Sequence, residues 1–204
     1  MKTSMRINCL LLLLILFQQA GAQTPEELAS HRLQYKTDLF NDIGADTSKV
    51  DFFPFSARFI ITATVELLEN EPVFKMTTSS GVKKDARRYA RISFKFNGKT
   101  YNCYGYQLTS LQQSAEYASH FFVPFRDLTN GISTYSAGRY LDFTATDIKN
   151  GKLALDFNKA YNPYCAFTDG FNCPIPPAEN NLALKVNAGE KKFLGERTAK
   201  PVSH

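Results

Sequence analysis

The dipeptide Asn97-Gly98 separates two runs of alternating apolar and polar residues, ARISFKF and KTYNCYGY. Asn-Gly between such runs predicts a β-hairpin, because both turn residues readily adopt positive φ. A two-residue turn also fixes the register, and the facing pairs are Phe96 with Lys99, Phe94 with Tyr101, and Ile92 with Cys103. Since Ile92 lies on the apolar face of its strand, Cys103 is predicted to be a small core residue rather than a reactive thiol.

A helix is predicted from Pro25 to Ile43. Thr24 is a favourable N-cap, Pro25 suits the first helical position, and Glu27 completes a capping box. Gly44 is predicted to end the helix. The sequence therefore predicts one helix ahead of the segments that follow.

Most of the remaining chain predicts β-strands, because Phe, Ile, Val and Thr recur in short alternating runs bounded by turn residues. The predicted strands outside the hairpin are 58–67, 74–78, 120–125, 139–143, 153–157 and 182–186. This pattern indicates a mainly β (α+β) protein, with an antiparallel β-sandwich or a partly open barrel and the N-terminal helix packed on it.

The first 22 residues have the features of a secretory signal peptide. Lys2 and Arg6 precede an apolar run over residues 9–17, and Ala20-Gly21-Ala22 is a small-residue cleavage signal. The run is shorter than the roughly 20 residues that a membrane span needs. We expect cleavage near Ala22, export to the periplasm or cell exterior, a single domain over 23–190, a polar basic tail over 191–204, and no membrane span in the mature chain.

The charge of the chain argues against a nucleic-acid partner. Removal of Lys2 and Arg6 lowers the formal net charge from +5 to +3, which is small for a nucleic-acid-binding domain. A local cluster of basic residues, Lys83, Lys84, Arg87, Arg88 and Arg91, is interpreted as a solvated turn and strand face.

The segment 153–181, LALDFNKAYNPYCAFTDGFNCPIPPAENN, combines an alternating strand with two cysteines, several prolines and a run of Tyr and Asn. Together with Phe125-Arg126-Asp127, the 138–142 segment GRYLD and Ala188-Gly189-Glu190, it resembles the bacterial and archaeal domain of unknown function 1684 family. The resemblance extends over nearly the whole mature chain, from the His31-Arg32 helix onward, and it implies no particular reaction. One departure is visible, since the usual Gly-Gly before Arg-Tyr-Leu-Asp is Ala137-Gly138 here.

The proline-rich return after the 153–157 strand predicts a rigid polar rim. Proline fixes φ, and a stiff loop at a strand end is a common support for a binding site. The predicted ligand-binding residues are Tyr140, Asp142, Asp156, Asn158, Tyr161, Asn162 and Arg32. Arg32 lies within the apolar face of the helix, so it is also expected to reach a buried acceptor such as one of these aspartates. Rings beside amides and carboxylates suit a small or extended polar ligand such as a sugar or a peptide.

Cys165 and Cys173 have three interpretations. Export permits a disulfide between them. A thiol enzyme or hydrolase would instead use Cys165 as nucleophile with His31 or an aspartate as base, and Asp142 and Asp156 are an alternative acid–base pair. A metal site is the third interpretation, but the spacing is not typical of zinc sites, so no metal is assigned.

No phosphate-binding or cofactor motif is present, so no cofactor is predicted. A structural or interaction module of the cell envelope is a further alternative to the ligand-binding domain. Neither the partner proteins nor the oligomeric state follow from the sequence.

Overall fold

The computed structural model describes residues 24–199, so the predicted signal peptide lies outside the described residues. Helix α1 spans Pro25–Ile43, as predicted. The Thr24 hydroxyl accepts a hydrogen bond from the Glu27 amide at 3.1 Å, and the Glu27 carboxylate accepts one from the Thr24 amide at 2.9 Å. Gly44 ends the helix in the left-handed conformation with φ 63°. Within this part of the chain, no helix is long and apolar enough to span a membrane.

Seven antiparallel strands form a single sheet that curls into a half-barrel, which confirms the mainly β fold and the partly open barrel. The strands are β1 (Ile60–Leu67), β2 (Phe74–Thr77), β3 (Lys83–Phe96), β4 (Lys99–Leu108), β5 (His120–Phe125), β6 (Arg139–Thr144) and β7 (Lys152–Asp156). Their order is β6-β5-β4-β3-β1-β7, and β2 pairs with β3 beside this path. The two edges of the half-barrel are therefore β6 and β7.

The hairpin of β3 and β4 has the predicted register. Ile92 pairs with Cys103, and the turn residues Asn97 and Gly98 have φ of 49° and 77°. Both Ile92 and Cys103 are buried in the main core. Burial raises the pKa of the Cys103 thiol to about 12, which is consistent with the predicted structural role of this residue.

The predicted strand at 182–186 is wrong. Leu182, Leu184 and Val186 alternate into the core as expected, yet no strand forms there. The segment is held by single main-chain contacts, such as Leu182 N to Arg126 O at 2.8 Å. From residue 186 to residue 190, main-chain carbonyls accept hydrogen bonds from the guanidinium of Arg139 and not from a neighbouring strand.

Arg139, at the start of β6, is 0% exposed and binds four acceptors. Its Nη2 contacts the Asp127 carboxylate at 2.9 Å and Val186 O at 3.0 Å. Its Nη1 donates to the carbonyls of Ala188 and Glu190. Asp127 also accepts from the amide of Val186, at 3.2 Å. This buried ion pair fixes the 186–190 segment against the end of the sheet.

Gly138, just before β6, occupies a position that only glycine fits. Its φ is 105°, and a Cβ there would lie 2.6 Å from Phe125 O and 2.7 Å from Pro176 Cγ. The replacement of the usual first glycine by Ala137 therefore leaves the constrained position intact.

The C-terminal segment 191–199 contains neither helix nor strand. Phe193 nevertheless packs on Phe167, with ring centroids 4.9 Å apart, and Thr198 forms a bridge with Thr168. Part of the predicted tail is thus attached to the segment that follows β7.

We expect Arg139→Met to lower the free energy of unfolding by about 3–5 kcal/mol, because it leaves Asp127 as an unpaired buried charge and leaves three carbonyls without their donor. Urea unfolding followed by circular dichroism measures the change. The matched control is Arg197→Met, since the Arg197–Asp169 pair (2.6 Å) is exposed and should contribute less than about 1 kcal/mol. Equal stability of the two variants would contradict this account.

Candidate functional site

A cleft of about 740 Å³ lies between the two edge strands of the half-barrel, where the sheet does not close. Helix α1 forms one wall, and the segment that follows β7, residues 157–174, forms another. Its lining includes His31, Gln34, Tyr35, Asp38 and Asp42 from α1, Tyr140, Leu141, Asp142 and Phe143 from β6, Leu153, Ala154 and Asp156 from β7, and Tyr161, Pro163, Tyr164, Phe171, Asn172, Cys173 and Pro174 from the following segment. The size is typical of small-molecule sites.

Tyrosine hydroxyls and carboxylates are paired across this cleft. Tyr161 donates to Asp142 Oδ2, and His120 Nε2 lies 3.0 Å from Asp142 Oδ1. On the opposite wall, the Tyr164 hydroxyl donates to Asp42 Oδ2 at 2.5 Å. These pairs hold each carboxylate in one orientation at the rim.

The tyrosine rings are also in contact with one another. The Tyr161 ring lies 5.8 Å from that of Tyr35 and 5.9 Å from that of Tyr140, centroid to centroid. Burial, and then the charge of Asp142, raises the pKa of Tyr161 well above its ordinary value. Burial likewise raises the pKa of Tyr164. The hydroxyls are therefore protonated donors at neutral pH and not bases.

The cleft is acidic although the chain as a whole is basic. Its charged lining residues are Asp38, Asp42, Asp142, Asp147, Asp156, Lys84 and Lys159. Burial and the nearby Lys159 lower the pKa of His31, so this histidine is neutral at pH 7. The excess of carboxylates favours a ligand that donates hydrogen bonds or carries positive charge.

A buried carboxyl group, Glu190, connects the two walls from below. Its Oε2 accepts a hydrogen bond from the Tyr35 hydroxyl at 2.8 Å and one from the main-chain N–H of Asn162 at 2.7 Å. Burial raises its pKa to about 8, although the hydrogen bonds from Asn162 and Tyr35 act in the opposite direction. Arg139 donates to the main-chain carbonyl of Glu190 at 3.1 Å.

The structure brings four of the seven predicted ligand-binding residues to the cleft, namely Tyr140, Asp142, Asp156 and Tyr161. His31, considered as a base in the enzyme alternative, also lines it. Asp156 is largely committed to local structure, because its Oδ1 accepts from the Asn158 amide at 2.9 Å and from Asn158 Nδ2 at 2.8 Å. Binding by these residues stays a prediction.

Asn158 and Asn162 do not face the cleft, which corrects the expectation that both are rim residues. Each is 0% exposed. Asn158 exchanges two hydrogen bonds of 3.0 Å with the Ser56 main chain, and Asn162 Nδ2 donates to Lys191 O at 2.8 Å. Their amides stabilise buried main chain, so they position the site without lining it.

Arg32 lies outside the cleft lining as well. Its Nη2 donates to Phe53 O at 2.9 Å, and its guanidinium lies over the Phe52 ring at 4.6 Å from the centroid. Desolvation lowers its pKa, and the charges of Asp156 and Asp51 oppose this shift. The acceptor that the structure gives Arg32 is thus a main-chain carbonyl, whereas an aspartate was expected.

The α1 wall contains cleft residues that were not predicted as a site: Tyr35, Asp38 and Asp42. With His31 they follow the spacing i, i+4, i+7 and i+11, which places them on one helix face. The sequence signal for this wall is a row of polar residues along one face of a helix that is expected to pack on the sheet.

Cys165 and Cys173 form a disulfide, with Cα atoms 6.3 Å apart. Ser79 Oγ lies 3.1 Å from Cys165 Sγ. A thiolate at Cys165 would therefore exist only after reduction of this bond. Within residues 24–199, no three His, Cys, Asp or Glu side chains are arranged to hold a metal ion.

The fold and cleft define a half-barrel protein with an acidic, tyrosine-lined opening, and comparison with known proteins identifies its family. The model of the family described as "Protein of unknown function (DUF1684)" matches residues 46–191, so the chain belongs to this family. The match begins after α1, whereas the resemblance in the sequence was expected to include the helix.

A solved structure is similar over most of the chain. It is the solution NMR structure of the uncharacterized protein from gene locus rrnAC0354 of Haloarcula marismortui, with a TM-score of 0.61 and 27% sequence identity. The similarity covers 85% of this chain and 100% of that one. No curated protein gives a significant match.

We expect the native protein to resist alkylation at Cys165 until it is reduced. Mass spectrometry of the unreduced digest should show Cys165 and Cys173 as an intact disulfide. Cys103 is the internal control, because this buried thiol should react only after denaturation. Labelling of Cys165 in the folded, unreduced protein would contradict the disulfide and restore the thiol-enzyme alternative.

We expect Glu190 to make stability depend on pH. Its folded pKa of about 8 lies above the ordinary value of 4.5, so its contribution is complete below about pH 4.5 and is lost as the pH rises through about 8. The measurement is urea unfolding of the wild type and Glu190→Gln between pH 5 and pH 9, since glutamine does not titrate. The stability of the wild type relative to the variant should fall over this range.

The control for this series is the exposed Glu69→Gln, which should follow the wild type at every pH. A constant difference between the wild type and Glu190→Gln across the range would show that Glu190 has the same pKa in the folded and unfolded states.

Proposed function

We propose that this protein is an exported, non-catalytic domain that binds a small or extended polar ligand, a sugar or a peptide, in the cleft between β6 and β7. The observation that supports this most directly is the pairing of tyrosine hydroxyls with fixed carboxylates around a concave opening, Tyr161 with Asp142 and Tyr164 with Asp42. Preorganised acceptors beside aromatic rings are typical of sites that read hydroxyl or amide groups.

The export part of the proposal is supported by the first 22 residues and is consistent with the Cys165–Cys173 disulfide, because disulfides persist in oxidising compartments. Binding rather than catalysis is favoured because the tyrosines in the cleft stay protonated and Cys165 is bonded to Cys173. His31, neutral at pH 7, is suited to accept a hydrogen bond from a ligand.

Screening of sugars and short peptides by thermal shift, followed by calorimetry, tests the proposal. For any ligand that binds, Asp142→Asn and Asp42→Asn should each lower the affinity by about tenfold or more, because a hydrogen bond to a charged acceptor contributes roughly 1.5–3 kcal/mol. The matched control is Asp85→Asn, a carboxylate outside the cleft that pairs with Lys75 on the surface. Ligands whose affinity is unchanged in both cleft variants would show that the site is elsewhere.

A further inference from the structure

Both edge strands of the half-barrel have main-chain groups that are directed away from the neighbouring strand. In an antiparallel sheet, the N–H and C=O of alternate residues point toward the same neighbour. Tyr140 exchanges hydrogen bonds with Tyr161 (2.9 and 3.1 Å), on the side of β6 away from β5. The main-chain groups of Asp142, two residues on, therefore point out of the same edge.

The same argument applies to β7. Lys152 exchanges hydrogen bonds with Lys149 (2.8 and 2.9 Å), on the side of β7 away from β1. The N–H and C=O of Ala154, two residues on, therefore point out of that edge. Ala154 and Asp142 both line the cleft, so two open stretches of strand edge face the same space.

Local structure covers the β6 edge on both sides of Asp142 and the β7 edge on the N-terminal side of Ala154. Tyr161 pairs with Tyr140, the Asp147 carboxylate accepts the Thr144 amide at 2.6 Å, and Lys149 pairs with Lys152. Covered edges are a usual protection against strand pairing. Within residues 24–199 the exposed stretch on β6 is centred on Asp142, and that on β7 begins at Ala154 and ends with the strand at Asp156, which limits an occupant to a few residues.

The charge of the cleft indicates which kind of extended chain would fit. Asp42, Asp142 and Asp147 are on its walls, and the two lysines that line it leave an excess of negative charge. A backbone that pairs with an edge strand presents alternate side chains to each face, and a lysine or arginine side chain would be attracted to these carboxylates.

We propose that the ligand is a short extended peptide that carries a lysine or arginine, and that it pairs through its backbone with Asp142 of β6 and Ala154 of β7. The peptide completes the barrel at its opening, in the manner of β-strand addition. Because every neighbouring pair of strands on the path is antiparallel, β6 and β7 run in opposite directions. The peptide is thus antiparallel to one edge and parallel to the other. This proposal rests on the proposed function and specifies its ligand.

The test uses four probes against the mature protein: a capped pentapeptide of alternating valine and lysine, the same peptide with glutamate for lysine, the lysine peptide with alternate amides N-methylated, and a neutral oligosaccharide. Calorimetry measures affinity, and ¹⁵N-edited NMR reports the amide signals of Asp142 and Ala154. The lysine peptide should bind and shift both signals. Glutamate and N-methyl substitution should each weaken binding by about tenfold or more, through charge repulsion and loss of backbone donors respectively.

A protein variant gives an independent check. Ala154→Pro removes the N–H at the open edge, a position where a strand tolerates proline, and it should weaken the lysine peptide by about tenfold without abolishing folding. The N-methylated peptide keeps the test decisive if this variant does not fold.

The outcomes separate the two proposals. Equal affinity of the N-methylated and unmodified peptides would overturn strand addition, and equal affinity of the lysine and glutamate peptides would overturn the charge preference. Binding of the oligosaccharide alone, with shifts at Asp142 and Ala154, would overturn the peptide proposal but support the proposed function. Failure of all four probes to bind would count against both.

Discussion

The buried contact between Arg139 and Asp127 holds together the parts of the protein that form the cleft. Arg139 begins the edge strand β6, and its guanidinium binds the carbonyls of residues 186, 188 and 190. This places the Glu190 side chain under the opening, where it binds Tyr35 of α1 and the amide of Asn162. Helix α1 and the segment after β7, which are the two walls of the cleft, are therefore both linked to Arg139 through Glu190. A buried charge is costly without full pairing, and here the pairing fixes the end of the sheet that supports the site.

The cleft itself results from incomplete closure of the sheet. A closed barrel has no free edges, whereas this half-barrel leaves β6 and β7 facing each other across an opening that α1 partly covers. The same opening collects the carboxylates of β6 and α1 on a chain with net positive charge. Exposed main chain and concentrated negative charge therefore occur in one place, which is why we propose a polar, basic ligand there.

Local patterns predicted the elements that depend on local chemistry. The capping box at Thr24 and Glu27 defined α1, and the Asn97-Gly98 turn defined which residues of β3 and β4 face each other. The alternation of Leu182, Leu184 and Val186 correctly predicted burial but not a strand. An alternating pattern indicates which side chains are buried. It does not indicate whether the main-chain carbonyls accept hydrogen bonds from a neighbouring strand or from a side chain. In this case Arg139, more than forty residues away in the sequence, provides donors to the end of that segment.

In the candidate site, too, the sequence predicted some features correctly and others not. Tyr140 and Asp142 were predicted because they lie on the polar face of β6, and Tyr161 because it lies in the return after β7, and all three do line the opening. Asn158 and Asn162 are also polar and lie in the same stretch of sequence, yet their side-chain amides donate hydrogen bonds to the main-chain carbonyls of Ser56 and Lys191. Sequence chemistry does not distinguish an amide that faces solvent from one that satisfies buried main chain.

The sequence alone determined the helix, the hairpin register, the mainly β fold and the family, because each follows from residue type at short spacing or from a specific block of residues. Only the tertiary structure decided that the sheet stays open between β6 and β7, that α1 supplies one wall, and that Arg139 and Glu190 are buried beneath the site. These features depend on contacts between residues far apart in the chain, and the energy of such contacts is set by burial, which no local pattern specifies.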